Sequence, residues 1–316
     1  MDFDELYQLF ECDVAELCKK GVPLSENDSS VNLENESMAL KDEEPKKIYI
    51  PQRERREKIR DTLHRLAKRS SIWQTFKDWV SIMALMLSNI YDPTHKEARE
   101  KELAEVGDRY TIDEAEEFLR LFVELMEMIT YNLEKHIFED ILGELYMELG
   151  LSYEKGGQYF TPRNICEFMG LATVGLSNLE AVKEQGFITV ADPASGSGAM
   201  ILGAMSAARE NHIDHRYQIA AYAVDVDIFC VHMCYVQLSL YGLPAVVEHA
   251  NSLSLESWGR WYTPEYLLNN WIWKAKLTST TKREPEDELI KCWQQPMYGL
   301  MVYGLKTEKE TENAAV

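Results

Sequence analysis

Long apolar runs are missing from this chain. No stretch of about eighteen consecutive apolar residues occurs, which excludes a membrane-spanning helix. Basic charge is scarce: 33 Lys and Arg stand against 53 Asp and Glu, a net of −20 over 316 residues. Such a surface repels nucleic acid on average, so any such contact has to come from a local basic patch or a partner subunit. Cysteine is sparse too. The six (Cys12, Cys18, Cys166, Cys230, Cys234 and Cys292) contain no CxxC pair, which fits reduced thiols in a cytoplasmic protein rather than a disulfide framework. Met1-Asp2-Phe3-Asp4-Glu5 lacks the basic-then-apolar build of a secretory signal. What is present is ample apolar material, 46% of residues, enough for one large domain or two modest ones.

Residues 1–45 read as a short amphipathic helix, with Leu6, Phe10, Val14 and Leu17 on one side, followed by a polar, acidic, disordered linker. The sign inverts from Lys46 to Arg69, the one basic block of the chain. It reads either as a solvated helix face paired with the acidic linker or as a helix that meets phosphate or a partner. Residues 46–150 form a helical domain. Trp73, Phe76, Trp79, Val80, Met83 and Leu87 make a helical stripe that Asp92-Pro93 ends. Thr111-Ile112-Asp113-Glu114 is a capping box. A third helix carries Ile137, Ile141, Leu142, Leu145 and Leu149, and Gly150 stands beyond its end.

The period changes near residue 186. Phe187–Ala191 and Ile219–Val224 are short apolar runs closed by Asp192 and Asp225, and Pro244–Val247 is a shorter third run. Helical stretches at roughly 198–210 and 227–241 separate them, giving β-α-β-α-β and a parallel, doubly wound α/β sheet within residues 151–305. Leu300–Tyr303 is the one plausible strand after Asn251, and residues 306–316 read as a disordered end.

The sharpest chemical signal is Asp192-Pro193-Ala194-Ser195-Gly196-Ser197-Gly198, a glycine-rich turn between a strand and a helix. Its glycines let backbone approach a ligand, and the helix start offers free N–H groups to an anion. Asp225, closing the next strand, stands where a ribose diol would be held. That arrangement suits a nucleoside cofactor. Upstream, Gly157-Gln158-Tyr159-Phe160-Thr161-Pro162-Arg163 is a loop entering a helix, with Thr161 as N-cap and Pro162 at N1. His212 and His215 flank Asp214 with no third ligand in view, and read as a solvated loop; no metal is expected.

GQYFTPRNI followed by DPASGSGAM, with EDILGELYMELG just before, resembles the adenine-N6 DNA methyltransferases, especially the modification subunits of type I restriction–modification systems in a shortened form. The resemblance covers roughly residues 70–255. It implies a Rossmann-like class I S-adenosylmethionine-dependent methyltransferase fold with a helical N-terminal domain. It also implies that S-adenosylmethionine is bound by Gln158, Tyr159, Phe160 and Thr161, by Asp192, Ala194, Ser195, Gly196 and Gly198, by Asp225 at the ribose and by Asn251 near the adenine. DNA is then the substrate, met weakly through the Lys46–Arg69 region and with a specificity or other partner subunit. The family's Asn/Asp-Pro-Pro-aromatic catalytic signature does not occur. Two fragments come near: Asn270-Trp271-Ile272-Trp273, which puts Asn270 and Trp273 forward as the amide and the stacking ring, and Gln295-Pro296-Met297-Tyr298. Two readings stand from here, an adenine methylase and a methyltransferase-like binding module without turnover.

Overall fold

The computed structural model describes residues 51–151, 161–269, 271, 272 and 274. The expected helix and linker in 1–45 and the strand and tail in 300–316 lie outside the described residues. Helices α1 (Gln52–Leu66), α2 (Ile72–Tyr91), α3 (Lys96–Gly107), α4 (Ile112–Glu134) and α5 (Ile141–Glu148) come first, with a 3-10 turn at Ala67–Arg69. Ser71 caps α2 by accepting from the Gln74 N–H, and Asp92 ends it. The capping box at α4 is complete: Thr111 accepts from the Glu114 N–H at 3.3 Å and Glu114 accepts from the Thr111 N–H at 2.9 Å. Gly150 takes the left-handed conformation beyond α5 (φ +71°). Ile137 precedes α5 rather than belonging to it, because Asp140 accepts from the Gly143 N–H and starts the helix there.

Residues 52–66 of the basic block form α1, and its charges meet glutamates of α4, α5 and the segment between them. Arg55 and Lys58 both reach Glu124 at 2.5 Å, and Arg56 lies among Glu139, Glu144 and Glu148 at 3.3, 2.5 and 3.4 Å. On its other side α1 buries Ile59, Leu63 and Leu66 in the main core.

Two further helices, α6 (Arg163–Thr173) and α7 (Leu176–Gln185), lead into β1 (Ile188–Asp192), α8 (Ala199–Glu210), β2 (Ile219–Asp225), α9 (Ile228–Leu240) and β3 (Ala245–Asn251). Both crossovers match the periods read from sequence, and β1, β2 and β3 pair in parallel. β4 (Glu256–Tyr262) then pairs antiparallel with β3, and a short α10 (Pro264–Leu268) follows. β4 overturns the expectation that no strand lies between Asn251 and Leu300. The sheet order is β1-β2-β3-β4.

Alternation sorts the two faces. Ala221, Ala223, Ala245 and Val247 join α8, α9 and the N-terminal helices in one large core. Ala220 and Val246 face the other way, into a smaller cluster with Tyr262, Tyr266, Leu267 and Trp271. α8 packs on β1 and β2, α9 on β2 and β3, and α2 on α9. Arg99 of α3 fastens the β4 edge: its guanidinium stacks 3.9 Å from the Trp261 ring centre, donates to the Arg260 carbonyl at 2.6 Å and reaches Asp92 at 2.8 Å. Among the described residues no single helix is long and apolar enough to cross a membrane.

Candidate functional site: the turn after the first strand

Four backbone N–H groups of the turn after β1 are held. Asp192 accepts from the Ala194 N–H at 3.1 Å, and the Ser195 N–H donates to the Val224 carbonyl of β2 at 2.9 Å. The Gly196 N–H donates to Asp225 Oδ2 at 2.8 Å, and the Gly198 N–H returns to the Ser195 carbonyl at 2.8 Å. Gly196 and Gly198 sit at φ +53° and +95°, which glycine adopts without steric cost. Gly198 has a second reason to be glycine: a Cβ there would lie 3.0 Å from Cys234 Sγ of α9.

The strand-end acids differ in how they are used. Asp225 gives one oxygen to Gly196 and the other to the Asp227 N–H at 2.9 Å. Its first task is thus to shape the turn, although each oxygen keeps a second lone pair for a hydroxyl. Asp192 uses one oxygen only; its Oδ2 accepts nothing from the described residues. Burial raises its pKa, the Ala194 N–H opposes this, and the neighbouring charge of Asp225 adds to it. A partly buried carboxylate with an open acceptor beside a glycine turn fits a cationic ligand group.

Under the turn lies a clamp that sequence reading did not find. Asp140 accepts from Ser197 Oγ at 2.5 Å, from Gln237 Nε2 at 2.8 Å and from the Gly143 N–H at 2.8 Å. Gln237 also donates to the Ser197 carbonyl at 2.9 Å and accepts from the Leu142 N–H at 3.0 Å. No cation neutralises this buried carboxyl among the described residues. Burial pushes its pKa up against the pull of Ser197, Gln237 and Gly143. The sequence does carry a signal for it: Asp140 stands one residue ahead of the apolar start of a helix, where a cap belongs.

Two helices bring residues 161–163 to the turn. A Cβ at Gly170 of α6 would run into the Gly203 carbonyl of α8, and one at Gly203 into the Cys166 carbonyl. The backbones therefore touch, and the start of α6 is held beside the start of α8. Thr161, Pro162 and Arg163 share with Asp140, Glu144 and Ala199 the wall of a cavity of about 410 Å³. Helix α6 begins one residue later than expected: Pro162 is its cap residue, and the Thr161 side chain makes no capping bond. Proline at the cap leaves the first turn anchored by the Pro162 carbonyl, which accepts from the Ile165 and Cys166 N–H groups at 3.0 and 3.2 Å.

Asn251 ends β3, next to β2 but away from that cavity. Its side-chain oxygen accepts from the Leu253 and Ser254 N–H groups at 2.9 and 3.1 Å, which turns the chain toward β4. Gln158, Tyr159, Phe160, Asn270, Trp273 and Gln295–Tyr298 lie outside the described residues. What leads up to residue 270 is α10, not the end of a parallel strand. No metal-binding group of three or more His, Cys, Asp or Glu occurs among the described residues. His215 is not in a solvated loop: its ring packs edge-on to Phe138 at 5.2 Å, and burial lowers its pKa to about 4. Cys166, Cys230 and Cys234 are free and buried, as the absence of CxxC pairing implied.

Residues 134–297, just over half of the chain, match the family model described as N-6 DNA Methylase. Searches of curated proteins and of solved structures return no match. The matched span starts at the end of α4 and takes in the Asp140 clamp, the start of α6, the glycine turn and both strand-end acids. By that match the chain belongs to the N-6 DNA methylase family, which methylates DNA at adenine N6.

Proposed function

We propose that this protein binds S-adenosylmethionine at the turn after β1 and, on that cofactor, methylates adenine N6 in DNA, with a partner subunit supplying target recognition. The observation that carries the reading is the Ser195–Gly198 turn, closed through the N–H groups of Ser195, Gly196 and Gly198 and fixed by Asp225 from the neighbouring strand. The sheet of three parallel strands with intervening helices supports a Rossmann-like class I methyltransferase core built on a helical N-terminal domain. A cytoplasmic location goes with this reading.

When bound, the cofactor supplies an electrophilic methyl group. The chain's own residues do the rest. Gly196 and Gly198 let backbone come close, and the start of α8 presents N–H groups to the methionine carboxylate. Asp192, with its open oxygen, receives the ammonium. Asp225 takes the ribose hydroxyls on its remaining lone pairs, and Asn251 and residues Gln158–Thr161 border the rest of the ligand. Asn270 and Trp273 are assigned to accept from the target amino group and to stack on the flipped base. Removing such an oriented acceptor typically costs on the order of a hundredfold in rate.

Calorimetry tests the cofactor reading. Asp225→Ala should weaken S-adenosylmethionine by ~1.5–3 kcal/mol, because a charge-assisted hydrogen bond is lost; no binding by the intact protein would overturn it. Labelled methyl transfer to mixed DNA, with and without candidate partners, tests turnover. One sequence fact favours a second reading, a binding module without catalysis: no Asn-Pro-Pro-aromatic segment occurs anywhere in the chain. Cofactor binding without methyl transfer under any partner condition would select that module.

A further inference from the structure

The two most exposed large apolar side chains among the described residues share one tight turn. Leu253 is 95% exposed and Leu255 85%, in the segment Ser252-Leu253-Ser254-Leu255 that joins β3 to β4. The turn is braced from within. Asn251 accepts from the Leu253 and Ser254 N–H groups through its side chain, and from the Leu255 N–H through its carbonyl at 2.8 Å. Behind it, Glu248 of β3 ties down Ser257 and Arg260 of β4, and the His249 and Trp258 rings lie 4.8 Å apart between centres.

Leu255 sits at φ +61°, in the left-handed region. Leucine is strained there, and a side chain held in water adds no burial to offset that strain. Folding therefore gives no reason for leucine at this position. The tip also overhangs the sheet. Asp192 pairs with Ala223 and Ala223 with Val247, so β3 runs four residues, about 13 Å, past the level of Asp192 before it turns. This overhang stands on the edge that carries the glycine turn, two strands or about 10 Å across from it.

We propose that Leu253 and Leu255 form a wedge that enters the base stack of DNA and fills the gap left by the extruded adenine. The proposal rests on the reading that the chain methylates adenine in DNA, the substrate that the family match supplies. Chemistry at N6 within a duplex requires the base to leave the stack, and inserted apolar side chains hold such a distortion open. The form of the tip selects DNA over a protein partner. A protein interface has a broad apolar centre with a polar rim. Here two leucines alternate with two exposed serines at the end of a narrow hairpin. Leucine suits a base step, and serine hydroxyls suit the phosphates beside it. Residues 251–257 contain no Lys, Arg or His, so the wedge contributes apolar contact rather than charge.

Fluorescence anisotropy with labelled duplexes tests it on the full-length chain at low salt. A duplex with one abasic site offers the gap without the cost of extrusion. Wild type should bind it about tenfold or more tighter than the intact duplex. Added salt should weaken both alike and leave that ratio unchanged. Leu255→Gly relieves the left-handed backbone, so the variant should resist urea at least as well as wild type. Combined with Leu253→Ser, it should bring the ratio to about one. Equal wild-type affinity for the two duplexes, no binding to either, or an unchanged ratio in the double variant overturns the wedge. Calorimetry with S-adenosylmethionine separates this from the cofactor reading. Weaker cofactor binding by the double variant places the leucines in the cofactor pocket and also overturns the wedge. An abasic preference that depends on the leucines, in a wild-type chain that binds no cofactor, upholds the wedge and overturns the cofactor reading instead.

Discussion

Acidic side chains serve opposite purposes in the two halves of this molecule. Between α1 and the α4–α5 pair, glutamates meet cations: Glu124 holds Arg55 and Lys58, and three glutamates surround Arg56. Around the turn after β1, Asp140, Asp192 and Asp225 meet only neutral donors among the described residues. The first arrangement neutralises a basic segment and glues a helix to its neighbours. The second keeps negative charge uncompensated next to backbone that a ligand can reach. Charge in the helical half is therefore structural, whereas at the turn Asp192 keeps one oxygen that no described residue uses.

The most severe way to break the turn half is through its helix contact. Gly203→Val forces a side chain into the Cys166 carbonyl, and a loss of ~3–5 kcal/mol is expected in urea unfolding. Asp140→Ala comes next. It leaves Ser197 Oγ and the Gly143 N–H without their acceptor in a buried space, with ~2–4 kcal/mol of stability lost and, on the proposed cofactor reading, cofactor affinity reduced. Asp140→Asn should recover most of both; equal damage from Ala and Asn would mean that acceptor chemistry at this position is irrelevant.

A third measurement uses pH and a neutral group buried between the halves. His232 packs edge-on to Trp261 at 4.6 Å and lies 3.1 Å from Ser81 Oγ. Burial first, then Arg99 and Lys77, lowers its pKa from 6.5 to about 3. With the folded value depressed, its contribution is complete above pH 6.5 and is lost as pH falls from 6.5 toward 3. Lowering the pH to 5 should remove about 2 kcal/mol through this group alone. His232→Phe should flatten that part of the profile, and an unchanged slope would show that another group governs it.

The smallest effect is expected in the helical half. Arg55→Ala should cost about 1 kcal/mol, because Lys58 still holds Glu124. DNA affinity should change little. A large drop in salt-sensitive DNA binding with stability intact would instead place α1 on the nucleic acid.

Much of the sheet half was legible because its signals are local. β1, β2, α8 and α9 fall within a residue or two of the runs read from sequence, and the strand-end acids and the glycines stand where the turn demanded them. β4 was missed because Glu256, Ser257 and Trp258 face solvent and Gly259 interrupts the run, so no alternation shows. α3 was missed for a related reason: Lys96–Gly107 is mostly charged and buries only Arg99, Leu103 and Val106. The partners of the basic block and the Asp140 clamp were out of reach for another cause. Ion pairs between residues 52 to 92 positions apart, and hydrogen bonds across 57 to 97 positions, leave no trace in local pattern.

The contact between Gly170 and Gly203 has a mechanical consequence. Where side chains separate two helices, a shift of one is absorbed by rotamer changes in the other. Here carbonyl meets backbone and nothing lies between to yield. α6 and α8 therefore move as a single splint, and a displacement at residues 161–163 arrives undamped at the start of α8. A shift of residues 161–163 and a reshaping of the glycine turn are, for this protein, one motion.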